Sequence, residues 1–286
     1  MRLCRFDENR LGLVLADGIR DVTFALSVIP QSTYPFPRHD MLIAQLAEVQ
    51  ERILGEPDRG DRIDPDEVTL LSPVANPGKL FAAPVNYKAH LDEAIADEET
   101  FSRAHVRQIQ ETGLFLKATS SLIGAGSAIN IWHPDRRTDH EIELAVIIGK
   151  SGRDITLESA MDHVAGYSIG LDITIRGPEE RSLRKSLDSY SVLGPWLVTA
   201  AEVSAPHALD LELTVDGEVR QRANTRDLII DIPALISFAS SFYTLEPGDV
   251  LYTGTPEGVG PIVPGNEIEA SITGLGSLKI PVEQAR

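Results

Sequence analysis

The sequence predicts a β-rich α+β fold, a mixed arrangement of strands rather than a doubly wound sheet. Short apolar segments with strand periodicity recur along the whole chain, whereas helical spacing is confined to a few stretches. Strands and helices do not alternate as βαβ units. Neither Gly124-Ala125-Gly126 nor Gly274-Leu275-Gly276 completes a dinucleotide fingerprint, so both read as turns. A charged, proline-bearing stretch at Glu56–Glu67 interrupts the apolar pattern. It divides the chain into a small N-terminal domain, residues 1–75, and a larger one, residues 76–286.

The N-terminal domain opens with three short strands, Arg2–Phe6, Leu11–Leu15 and Ile19–Val22, the last entered through the Asp17-Gly18 turn. Asp40–Leu54 then carries Leu42, Ile43, Leu46, Val49 and Ile53 at helical spacing and stops at Gly55. In the larger domain Lys79–Val85, Leu114–Lys117, His140–Ile148, Tyr167–Ile175 and Trp196–Thr199 read as strands. The Asp216-Gly217 turn marks a hairpin, and strands at Asp249–Tyr252, Glu267–Ile272 and Leu278–Val282 close the chain. Helices are expected at Lys88–Glu111, Leu157–His163 and Ile232–Tyr243. The first is long, charged and weakly amphipathic, as a mobile lid would be.

The chain has 286 residues, 42% of them hydrophobic, which is enough for a sizeable core. Forty-three acidic against 26 basic residues leave a net charge of −17. Such a surface repels phosphate backbones and anionic lipid, so it argues against nucleic-acid and membrane partners. The single Cys4 excludes an internal disulfide framework and a cysteine-rich zinc site. No apolar run approaches the ~20 residues that span a bilayer, and the start lacks the apolar run of a secretory signal. The expectation is a cytoplasmic enzyme acting on a small molecule.

The strongest chemical feature is His140-Glu141-Ile142-Glu143, which runs directly into an apolar strand. Residues two apart in a strand share a face, so Glu141 and Glu143 project together, and burial would make their charges repel. A cation resolves that conflict. Asp172 lies on the polar face of Gly170–Arg176 and offers a third carboxylate. Carboxylates without cysteine or a histidine cluster favour Mg²⁺ or Mn²⁺, with Ca²⁺ as an alternative, over zinc. The same residues would also suit a solvated strand face with Asp172 paired to Arg176.

A second feature is Asn86-Tyr87-Lys88-Ala89-His90-Leu91-Asp92-Glu93. His90 and Glu93 are helical neighbours, so the carboxylate can orient the imidazole as a general base. The acidic residues that follow (Asp97, Glu98, Glu99) suit equally a surface histidine beside a solvated face. Lys117 and Lys185 could each bind a substrate carboxylate or oxyanion. The loop Thr253–Gly260 offers backbone amides and the Thr255 hydroxyl to an anion, but it is not a Walker A loop.

In order, NYKAH (86–90), FLKATSSLIG (115–124), DHEIELAVIIGK (139–150), GYSIGLDITIR (166–176), RKSLDSYSVLGPW (184–196), LEPGDV (245–250) and TGTPEGVG (253–260) make this chain resemble the fumarylacetoacetate hydrolase family over roughly residues 75–284. The resemblance implies a mixed β-sandwich roll, a homodimer, and Glu141, Glu143 and Asp172 as ligands of the divalent metal. It implies His90 with Glu93 as the catalytic dyad on a closing lid and Lys185 against the reacting oxygen. It puts Arg176 near the substrate and Thr255 at the substrate carboxylate. Many relatives follow the arginine with an aspartate and then a glutamine that touches substrate. Here Gly177-Pro178-Glu179 follows Arg176, so Glu179 stands where an amide is expected. Glu98–Gln110 also lengthens the lid. These parts suit hydrolysis of a carbon–carbon bond in a 2,4-dioxo acid of the acylpyruvate or fumarylpyruvate type. The metal would stabilise the enolate that forms. Decarboxylation or isomerisation of a 2-oxo diacid, of the oxaloacetate or hydroxymuconate type, is the alternative on the same site.

Overall fold

The segment Ile142–Ile148 has no polar side chain after Glu143, so a strand built from it must be covered on both faces. It is buried along its whole length. Leu144, Val146 and Ile148 enter the largest apolar core, and Ala145 and Ile147 enter a second. The computed structural model describes residues 1–96 and 113–286. Within it this strand pairs antiparallel with Val164–Asp172 on one side and Val250–Tyr252 on the other. Beyond Val164–Asp172 lie Ser191–Thr199, Arg2–Phe6, Arg10–Leu15 and Gly18–Asp21, so the N-terminal strands extend the main sheet. Beyond Val250–Tyr252 lie Leu80–Ala82, in parallel, and Phe115–Lys117.

A second sheet, in the order Glu218–Asn224, Asp210–Val215, Glu267–Ile272, Gly276–Gln284 and Ile129–Ile131, faces the first. Its strands alternate inward and outward, and Leu211, Leu213, Ile268, Ala270, Leu278 and Ile280 meet Leu144, Val146 and Ile169 in the larger core. Two facing sheets with an apolar interior agree with the β-rich pattern of the sequence and with the sandwich that the family resemblance implied.

The helices depart from expectation at their ends. Asp40–Leu54 divides into Met41–Ala44 and Leu46–Gly55. Asp40 caps the first by accepting from Ile43 N at 3.0 Å, and its other oxygen accepts from Ala75 N and Asn76 N. Ile232–Phe242 forms as expected, with Asp231 as its cap and Pro233 in its first turn. Leu157–His163 shrinks to a 3₁₀ turn at Ala160–His163. Lys88–Ala96 is helical. The rest of the expected Lys88–Glu111, and with it the lid insertion Glu98–Gln110, lies outside the described residues. Among the described residues no helix is long and apolar enough to cross a membrane.

Candidate metal centre and active site

The carboxylates converge where two neighbouring strands change partners at the same level. The chain passes from Thr138–His140 to Ile142–Ile148 at Glu141, and from Val164–Asp172 to Thr174–Ile175 at Ile173. Asp172 N donates to Glu141 O at 2.9 Å, and Glu143 lies opposite Gly170 in the register. A side chain at Gly170 would collide with the Tyr252 ring, 2.6 Å from where its Cβ would lie. Glu141, Glu143 and Asp172 thereby bring oxygens within 4.8 Å of one another, all three residues buried.

The surrounding cations are shared unequally. Lys185 Nζ donates to Glu141 Oε2 at 2.7 Å, to Asp172 Oδ2 at 2.6 Å and to Thr174 Oγ1 at 2.6 Å. Lys117 Nζ pairs with Asp172 Oδ1 and donates to Tyr190 O at 2.8 Å. Burial pushes the Lys117 ammonium down, against the pull of Asp172. Arg176 Nε donates to Asp139 Oδ2 at 2.6 Å and Nη2 to Glu141 Oε1 at 3.2 Å. Asp172 is thus held by the two lysines, while Arg176 serves Asp139 and Glu141.

The same asymmetry separates the two glutamates. Burial raises the Glu141 carboxyl, but Lys185 and Arg176 outweigh it and hold the group at about 2. For Glu143, burial and then the charge of Asp172 push the carboxyl well above its usual range, against the Gly254 N–H that it accepts at 2.5 Å. A divalent cation among the three would remove that repulsion. The donor set is oxygen only, so the residues fit Mg²⁺, Mn²⁺ or Ca²⁺.

The dyad is assembled. His90 Nδ1 lies 2.9 Å from Glu93 Oε2, and Glu93 Oε1 accepts from Gly258 N at 3.0 Å, which ties the helix to the Thr253–Gly260 loop. Asn86, two residues before that helix, is fully buried. It donates to Ile230 O and Thr253 O and accepts from Ile230 N.

Two residues expected at the substrate have ion-pair partners of their own. Lys117 is buried and engaged by Asp172. The Glu179 carboxylate is held by the Arg136 guanidinium at 3.0 and 2.7 Å, and Arg136 lowers its pKa. The repulsion expected from Glu179 against a substrate anion is therefore offset by its own cation.

Gln221 escaped the sequence reading. It is the one buried position in Glu218–Asn224, a strand whose apolar alternation is too weak to mark it. Its Oε1 accepts from Ile142 N at 3.0 Å and lies 3.1 Å from His140 Nδ1; its Nε2 donates to Thr255 Oγ1 at 2.8 Å and Pro256 O at 2.9 Å. The helix Arg181–Arg184 was also missed, since four residues show no period. It carries Arg181 over the Phe115 ring, with 5.5 Å from the guanidinium carbon to the ring centre, while Lys185 Nζ lies 5.4 Å from the same centre.

Oxygen ligands for a hard cation beside a carboxylate-supported imidazole are the equipment of a divalent-metal enzyme. The fumarylacetoacetate (FAA) hydrolase C-terminal model matches residues 79–283, and the chain belongs to that family. It is 53% identical over 284 residues, 99% of both chains, to the maleylpyruvate hydrolase of Aquipseudomonas alcaligenes. Among solved structures it is similar to the maleylpyruvate hydrolase of Sphingobium sp. SYK-6 in complex with manganese(II) and pyruvate. That match has a TM-score of 0.86 and 40% identity, and it covers 100% of each chain. A mitochondrial oxaloacetate tautomerase of Oryza sativa subsp. japonica is 41% identical over 199 residues, 64% of this chain and 88% of that one.

Proposed function

We propose that this protein is a hydrolase, dependent on Mg²⁺ or Mn²⁺, that cleaves maleylpyruvate, a 2,4-dioxo acid, into maleate and pyruvate. Similarity over the full length of a maleylpyruvate hydrolase supports the substrate. One observation carries the choice of hydrolysis over the other reactions of 2-oxo acids. The His90–Glu93 dyad is formed and anchored by Gly258 N–H, and hydrolysis is the reaction that needs an activated water.

Glu141, Glu143 and Asp172 would hold the cation, which when bound supplies Lewis acidity at the 2-oxo carboxylate end of the substrate. His90, its charge supported by Glu93, takes a proton from water. The water oxygen attacks the distal carbonyl carbon, and the bond from that carbon to the methylene breaks. The hydroxyl stays with maleate and a proton completes the methyl group of pyruvate. Lys185 offsets negative charge as it develops on the departing fragment. Thr255 meets the substrate carboxylate, and Arg176 holds Glu141 in place.

Maleylpyruvate carries a second carboxylate, and Arg181 is the cation suited to it. Arg181 shares the Phe115 ring with Lys185 and feels the charges of Glu141 and Asp172. The acidic composition and single buried cysteine support a cytoplasmic setting. The apolar patch of exposed Leu183 and Trp132 beside Leu187 supports a homodimer. Residues 1–75 are read as a small domain that extends the main sheet.

Incubation with Mn²⁺ and, separately, maleylpyruvate, acetylpyruvate and oxaloacetate, with products identified by NMR, tests the reading. Maleate and pyruvate at the highest kcat/KM are expected. Turnover of oxaloacetate alone would replace hydrolysis with tautomerisation or decarboxylation.

A further inference from the structure

We infer that Gln221 is a positioning residue that fixes the Thr255 hydroxyl as a hydrogen-bond donor toward the substrate carboxylate. The inference rests on the reading of Thr255 as the group that meets that carboxylate. Backbone groups decide which way the Gln221 amide points. Ile142 N–H can only donate, and it lies 3.0 Å from Oε1; the Pro256 carbonyl can only accept, and it lies 2.9 Å from Nε2. With the amide so oriented, the second Nε2 hydrogen is directed at Thr255 Oγ1, 2.8 Å away. Thr255 therefore accepts from Gln221 and cannot spend its own hydrogen there. Among the described residues Oγ1 has no other partner, so that hydrogen remains for an acceptor within the site. By the same logic His140 Nδ1, 3.1 Å from Oε1, carries the proton. The amide uses all four of its hydrogen-bonding capacities.

Gln221 also couples two parts of the site. Ile142 stands between Glu141 and Glu143, while Thr255 and Pro256 belong to the loop whose Gly254 N–H donates to Glu143. A carboxylate binding against Thr255 thus meets a hydroxyl whose polarity is set before it arrives, which lowers the ordering cost of binding.

The test is calorimetric titration of the Mn²⁺-loaded protein with pyruvate, as a 2-oxo carboxylate probe. The proteins compared are the parent, Thr255→Val, Gln221→Glu, Gln221→Met and the double variant Gln221→Glu/Thr255→Val. An ionised glutamate at 221 can only accept, so it turns the Thr255 hydrogen away from the ligand. Thr255→Val should weaken pyruvate about tenfold, the loss of one charge-assisted hydrogen bond. Gln221→Glu should weaken it at least as much, and the double variant no further than Gln221→Glu alone. Gln221→Met removes the donor to Thr255 Oγ1, so it should also weaken pyruvate while its Mn²⁺ affinity without pyruvate stays within about threefold, which answers the question if the glutamate variant does not fold. Parental pyruvate affinity in both Gln221 variants, with Thr255→Val weakened, overturns the role of Gln221 and leaves that of Thr255 intact. Additive losses in the double variant also overturn it, because Gln221 would then act by another route. Parental affinity in Thr255→Val overturns the placement of Thr255 itself.

Discussion

Replacing Asn86 by alanine should cost the protein a large part of its stability and most of its turnover. The side chain is fully buried and makes three hydrogen bonds: Nδ2 to Ile230 O at 2.9 Å and Thr253 O at 2.8 Å, and Oδ1 from Ile230 N at 2.9 Å. Truncation leaves those three backbone groups without their partner, and each such loss costs about 1–3 kcal/mol. The Ile230 groups are only partly buried and recover some solvation, which places the sum at roughly 3–5 kcal/mol. In a chain of this length that corresponds to a fall in Tm of about 5–8 °C. The helix carrying His90 starts two residues later, so the released segment should also misplace the imidazole and lower kcat by about 10²-fold. Urea denaturation followed by far-ultraviolet circular dichroism gives the first quantity, and steady-state kinetics under saturating Mn²⁺ the second. A loss below about 1 kcal/mol would refute the claim that Asn86 clamps this segment to the Thr253 and Ile230 backbone.

Glu143→Ala should weaken Mn²⁺ binding at least tenfold by calorimetry, since one of the three carboxylates proposed as ligands is removed; equal affinity would take Glu143 out of the centre. His90→Ala should lower hydrolytic kcat by about 10²–10⁴-fold and leave Mn²⁺ affinity within twofold, whereas an unchanged kcat would remove His90 as the base. Arg181→Met should raise KM about tenfold for dianionic maleylpyruvate and less than twofold for monoanionic acetylpyruvate; parallel increases would deny it the distal carboxylate. Burial pushes the Cys4 thiol from 9.0 up to about 12, against its backbone hydrogen bonds. Iodoacetamide at pH 9 should therefore modify the urea-unfolded chain and spare the folded one. Because the unfolded thiol ionises first, the Cys4 contribution should make stability decline as pH rises from about 9 toward 12. Cys4→Ala should flatten that decline, and an unaltered slope would assign it to other groups.

Much of the fold is legible because it is periodic. Glu267–Ile272 alternates inward and outward as its sequence does, and Arg2–Phe6 forms over the expected residues. The carboxylates were found because two glutamates at strand spacing beside an apolar run have few comfortable structural roles. The partner change at Glu141 was hidden, since HEIELAVII reads as one uninterrupted strand and the break is imposed by pairing with Thr174–Ile175 and Gly260–Pro261. Periodicity does not encode pairing between distant elements. Thus Asp172 could be imagined beside Arg176, although Lys117 and Lys185 hold it. Gln221 was invisible for the same reason: its partners Ile142, Thr255 and Pro256 are distant in sequence, and no local pattern distinguishes a buried amide from an exposed one.

The fate of water oxygen during turnover of maleylpyruvate by the Mn²⁺-loaded protein distinguishes hydrolysis from the other reactions of this substrate. The reaction would be run in water enriched in the heavy oxygen isotope, with the products read by mass spectrometry. Hydrolysis should give equimolar maleate and pyruvate, one labelled oxygen in the new carboxylate of each maleate, and no such product from His90→Ala on the same timescale. Maleate without label, or consumption of maleylpyruvate to an isomer or a decarboxylated acid, would contradict it.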